Sequence, residues 1–204
     1  MPAVTHSQTT ATETCPPAAS SVGTIAPSTA PLPLSLRPPP EKILACVGSQ
    51  PVTASLFRHW ARIARRAVGG HRPRIRRVAD EVMSFLISAD WVIGEARDLG
   101  IHLSAVEVRR KFDHIRREQF PKRREFKAFR RSSGQTVADL LFRVRLNLLS
   151  ARIQQHVLAG QQGASAQINA LQRFVSEFRM KWSDQTYCAP AYAVADCGHT
   201  QTPL

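Results

Sequence analysis

The sequence predicts an all-α protein, an irregular helical bundle with at most a short N-terminal strand. Three observations carry that expectation. Apolar residues recur at spacings of three and four through most of 53–183. Capping residues and glycines punctuate the periodic segments. Only one apolar run, Ile43–Val47, has the length and flanks of a strand, and Gly48-Ser49-Gln50-Pro51 reads as the turn that ends it.

The elements follow in order. Thr53 caps a first helix with Leu56, Phe57, Trp60, Ile63 and Ala64 on one face, stopped by Gly69-Gly70 and Pro73. The next helix, about Arg74 to Leu99, repeats Ile75, Val78, Val82, Leu86, Ala89, Ile93 and Ala96. Phe85, Trp91 and Val92 widen that stripe and make the helix central. Gly100 is a natural left-handed cap. Ser104 and Glu107 form a capping box that opens a third helix with Val108, Phe112 and Ile115 inward, broken by Pro121. A short helix over Lys122–Arg131 carries Phe126 and Phe129 and ends at Gly134. Thr136 and Asp139 start a helix from Val137 to Val157 that is apolar on two faces, as befits an interior helix. A connector with Gly160 and Gly163 leads to a last helix, 167–183, with Ile168, Leu171, Val175, Phe178 and Trp182 inward. The expected divisions are a tail over 1–41, a helical domain over 42–184, and a Cys-containing tail over 185–204.

Composition separates the tail from the domain. Residues 1–40 hold nine of the fourteen prolines and two charged residues, Glu13 and Arg37. Such a segment cannot bury enough apolar surface to offset its ordering entropy, so it is expected to be disordered. The net charge of +13 therefore belongs to residues 41–204. That charge points to anionic partners, although 23 of the 28 basic residues are Arg, a skew of the kind that codon bias contributes as part of such an excess. No apolar stretch is long enough to span a membrane. The segment before Ile43-Leu44-Ala45-Cys46 lacks the basic start and apolar run of an export signal.

No motif nominates an enzyme. The sequence has no Gly-x-Ser-x-Gly elbow, Walker loop or dinucleotide fingerprint, and no cofactor is expected. Glu95 and Asp98 read as a solvated face. The seven His are scattered, with His59 and His114 at the boundaries of amphipathic faces. Cys188 and Cys197 are spaced for a disulfide loop in an oxidising compartment. A zinc site with His199 would lack a fourth ligand and Cys-x-x-Cys spacing, and no metal is expected. Free thiols are the alternative in a reducing compartment. Basic residues cluster in Arg58, Arg62, Arg65, Arg66, Arg72, Arg74, Arg76 and Arg77, and again over 109–131, where eleven basic side chains face three acidic ones. Such clusters can bind phosphate backbones. The interleaved Phe112, Phe120, Phe126 and Phe129 sit at spacings that suit a buried stripe rather than exposed stacking platforms.

Three passages resemble the N-terminal, chaperone-type domain of the SurA/PrsA foldase family. Val47-Gly48-Ser49-Gln50-Pro51-Val52-Thr53 resembles its opening strand, which leads into a helix bearing His59-Trp60. Val82 to Ile87, Trp91, Glu95-Ala96, Leu99-Gly100-Ile101 and Ser104 to Val108 resemble its long helix and the capped helix after it. Phe126, Gly134, Thr136 and Asp139 to Val144 resemble the next two. The likeness extends to actinobacterial peptidyl-prolyl isomerases, which end in a helix like Phe174–Trp182 and a Cys-rich tail. It covers about 115 contiguous residues and the C-terminal 30 or so. In that family a parvulin domain, on the order of a hundred residues, lies between the last two helices. Here Leu158–Gln167 separates them, so prolyl isomerase activity is not carried over.

The resemblance implies non-covalent holding of unfolded or nascent polypeptides. It also implies an extracytoplasmic or cell-surface location, or a cytoplasmic one if Met1 is the true start. Phe57, Trp60, Met83, Phe112 and Phe120 are the candidate client contacts, each with a core role as its plainer reading. A basic rim would attract acidic clients or an anionic cell-surface polymer. The alternative is a basic protein that binds nucleic acid or another anionic polymer.

Overall fold

Ile43–Val47 forms the strand β1, and all five of its residues are buried, which requires cover from both neighbouring strands and from helices. A computed structural model supplies the coordinates and describes residues 15, 41–67 and 75–200. Of the expected disordered tail over 1–41 only Cys15 and Glu41 are among the described residues, and Arg72, Arg74, Gly69-Gly70 and Pro73 lie outside them.

Six helices dominate the described chain: α1 (Ala54–Ala67), α2 (Ile75–Asp98), α3 (Ala105–Gln119), α4 (Arg123–Ser133), α5 (Val137–Leu158) and α6 (Ala164–Asp184). The fold is therefore mostly helical. The all-α expectation is too strong, because β1 is the second member of a four-stranded sheet. Its partners are β2 (Gln50–Thr53), β3 (Thr186–Cys188) and β4 (His199–Thr200), in the order β2-β1-β3-β4. β1 runs antiparallel to β2 and β3, while β3 and β4 are parallel. The stretch Gly48–Pro51, expected as a turn, turns only at Gly48 and Ser49. Gly48 takes a left-handed φ of 54° there. Pro51 is accommodated because β2 is an edge strand with one side free of ladder bonds. The expected C-terminal tail is equally structured, since Thr186–Cys188 pairs along β1 in register Ala45↔Cys188 and Val47↔Thr186.

The core forms where α2 crosses this sheet. Leu44, Val52, Trp60, Val82, Met83, Ile87, Trp91 and Trp182 are buried together. α5 carries buried Val144 in one cluster and buried Leu149 and Ile153 in another, as its two apolar faces predict. Thr186 is fully buried, accepting from the Trp91 indole N–H at 2.8 Å and donating to the Trp182 carbonyl at 2.7 Å. Those two bonds pin β3 to α2 and to the end of α6.

α6 departs from the expected stripe. Ile168 and Val175 are 54% and 51% exposed. The helix instead turns Phe174, Phe178 and Trp182 inward, with Phe174 stacked on Phe178 at 5.7 Å and Phe178 edge-on to Trp91 at 5.9 Å. The larger aromatic surfaces take the contact. Glu95 departs as well. It is only 6% exposed rather than solvated, and accepts from the Trp182 indole N–H and from Lys181, each at 2.7 Å. Asp98 is exposed and completes the pair with Lys181 at 2.8 Å. Burial pushes the Lys181 ammonium down, but the two carboxylates outweigh it and hold its pKa above the ordinary lysine value.

Candidate functional site: a basic groove between α3 and α4

The capping box at the start of α3 is formed in full, with the Ser104 side chain accepting from the Glu107 N–H and Glu107 accepting from the Ser104 N–H. Arg152 of α5 pairs with Glu107 and ties that end of α3 to the bundle. The helix stops at Gln119 because Pro121 cannot continue it. The chain turns, and the Lys122 N–H donates to Glu125 at 3.3 Å as α4 begins. Gly134, with a left-handed φ of 70°, closes α4. At the far end Thr136 and Asp139 cap α5 reciprocally, and His59 of α1 donates to Asp139 at 2.7 Å. Burial raises the Asp139 carboxyl, yet the bonds from Thr136 and His59 outweigh it and hold its pKa below the usual aspartate value.

α4 buries none of its residues. It meets α3 through rings: Phe126 lies 6.1 Å from Phe112 and 5.6 Å from Phe120, and Phe120 lies 4.9 Å from Phe129. α4 also packs on α1, and an open concavity lies between α3 and α4. This groove, of about 940 Å³, is floored by Phe112, Phe126 and Val137 and rimmed by Arg109, Arg116, Arg123, Arg124, Lys127 and Arg130. Asp113 is its one acidic lining residue, and it is already engaged by Arg109 at 3.3 Å and Arg116 at 3.6 Å. The Arg109 guanidinium lies over the Phe112 ring at 5.8 Å and that of Arg130 over Phe126 at 5.9 Å. Arg123, Arg124 and Lys127 are exposed and make no ion pair among the described residues. The arrangement can hold an anion-rich chain over an apolar floor.

The five candidate contacts are not brought together. Phe112 is buried as part of the groove floor, and Phe120 is half-buried in the same ring cluster. Trp60 is core, packed on Phe85 at 4.8 Å beneath Arg143. Met83 is also core, and Phe57 is half-buried against Tyr192 at 5.4 Å. Met83 and Phe57 border a separate recess of about 150 Å³. Trp60 and Met83 are buried in the core, as their plainer reading requires. Sequence reasoning placed Arg123, Arg124, Lys127 and Phe126 in a basic cluster but did not join them into a groove. The signal was the excess of cations over 109–131, which reads as a solvated rim until α3 and α4 are seen to face each other.

Cys188 and Cys197 are joined by a disulfide, and Cys15 and Cys46 by a second one that the spacing did not suggest. Both anchor on the paired strands β1 and β3. Burial raises the Asp90 carboxyl on α2 to about 6, with Arg97 pulling it back. No hydrogen bond or ion pair sets a second titratable group against it among the described residues. No described helix is long and apolar enough to cross a membrane. The chain matches no protein-family model, no curated protein and no solved structure.

Proposed function

We propose that this chain holds non-native polypeptide non-covalently, as a chaperone-type module of the SurA/PrsA kind without the parvulin catalytic domain. The observation that carries the reading is the open groove between α3 and α4. Its floor is apolar, and its rim is made of long flexible side chains. Arg and Lys stems present methylene surface as well as charge, which suits weak binding of many sequences. The return of the C-terminal helix and β3 to the N-terminal strand agrees with the resemblance, in which the last helix completes the bundle. Two disulfides favour an oxidising, extracytoplasmic compartment, because thiols in the cytosol are kept reduced. A second reading, binding of nucleic acid or another anionic polymer, draws on the same six cations and lone acid of the groove.

The test is light scattering of a heat-aggregating client protein mixed with the oxidised chain in stoichiometric excess. The expected result is a delayed and reduced rise in scattering, with no acceleration of isomerisation in a proline-containing peptide. An unchanged aggregation curve would overturn the holding reading. A salt-sensitive complex with DNA or RNA in that event would favour the second.

A further inference from the structure

We infer that the groove between α3 and α4 selects extended, acidic polypeptide segments. The inference rests on the holding function proposed above and names the class of client that this site takes. The first ground is an uncompensated field. Of the seven charged side chains lining the groove six are cationic, and the single carboxylate, Asp113, is spent on Arg109 and Arg116. Arg123, Arg124 and Lys127 remain without an ion-pair partner among the described residues, so an incoming carboxylate displaces none. Where opposite charges meet across such a cleft, encounter is steered and wrong partners are disfavoured.

The second ground is spacing. Arg123, Lys127 and Arg130 sit at i, i+4 and i+7 on α4, which at 1.5 Å per residue places them about 6 Å and then about 4.5 Å apart along the axis. Side chains on one side of an extended strand repeat every ~6.8 Å. A segment with carboxylates at alternate positions therefore comes close to the Arg123–Lys127 step, while Arg130 stands nearer than the next carboxylate. Five of the six rim cations are Arg, whose planar fork takes a carboxylate in two hydrogen bonds.

The third ground separates polypeptide from nucleic acid. Single strands bind where aromatic faces are free to stack on bases. Here Phe112 and Phe126 meet edge to face, and Arg109 and Arg130 lie over their rings. Carboxylates need no such platform.

The experiment is fluorescence anisotropy at low salt on the full oxidised chain with three labelled probes. They are an unstructured 15-residue peptide with Glu at alternate positions, its Gln counterpart, and a single-stranded oligonucleotide of matched charge. The Glu peptide is expected to bind at least tenfold tighter than the other two. Arg123→Gln with Arg124→Gln and Lys127→Gln should abolish that difference while leaving the far-ultraviolet circular dichroism and melting temperature unchanged. Equal binding of the Glu and Gln peptides would overturn the inference, as would tighter binding of the oligonucleotide. If equal binding is accompanied by normal suppression of client aggregation, the selectivity fails and the holding function stands. If aggregation suppression is absent too, the holding function fails with it.

Discussion

Breaking both disulfides is expected to unfold much of the chain at ordinary temperature. Cys15 and Cys46 are 31 residues apart, and Cys188 and Cys197 are nine apart. Chain-entropy reckoning for loops of those sizes gives about 4 and about 3 kcal/mol of stabilisation. Total stability in domains of this size is on the order of 5–15 kcal/mol, so either loss is a large share. The structural consequence is specific, because β1 and β3 are neighbouring strands and each bridge fastens something to one of them. Cys188 itself is fully buried beside the core. Urea unfolding of the oxidised protein, of Cys15→Ala with Cys46→Ala, and of Cys188→Ala with Cys197→Ala measures each contribution. Midpoints unchanged by either pair of substitutions would show that the bridges do not stabilise the fold.

Gly94→Ala is expected to cost about 3 kcal/mol, although alanine is the better helix former. Gly94 lies within α2, where the Trp182 indole packs directly on its backbone. A methyl group there would stand 2.0 Å from the ring carbon Cη2, so the indole must move. Moving it breaks the bond from the Trp182 N–H to the buried Glu95 carboxylate and loosens the Lys181 pair beside it. It also disturbs Thr186, which donates to the Trp182 carbonyl. Leaving a buried carboxylate short of its partners adds to the steric cost. Thermal unfolding followed by tryptophan fluorescence reads the effect directly. A melting temperature equal to that of the parent would contradict the packing described at this crossing.

Much of the helical framework is written locally. Ser104 with Glu107, Thr136 with Asp139, and Gly134 at a left-handed cap each act within one turn, so they can be read without knowing the fold. The sheet is different. Thr186–Cys188 is too short to display alternation, and it becomes a strand because it meets β1 some 140 residues earlier. Gly94 is silent for the same reason, since its meaning depends on Trp182. Glu95 looks solvated in a helical pattern and becomes a buried acceptor only when α6 returns. At the site, the cations and rings of 109–131 are plain in the sequence. What is not plain is that Pro121 folds α4 back onto α3, turning a basic stretch into a groove with a floor.

The central claim, that non-native polypeptide is held between α3 and α4, is tested most directly by photocrosslinking. A photoreactive phenylalanine analogue is placed at position 127, on the groove rim, or at position 175, on the exposed apolar face of α6. Each protein is irradiated with an unfolded client. The account predicts crosslinks from position 127 that an excess of acidic peptide suppresses, and few from position 175. Crosslinks confined to position 175 would contradict it and move client binding to α6.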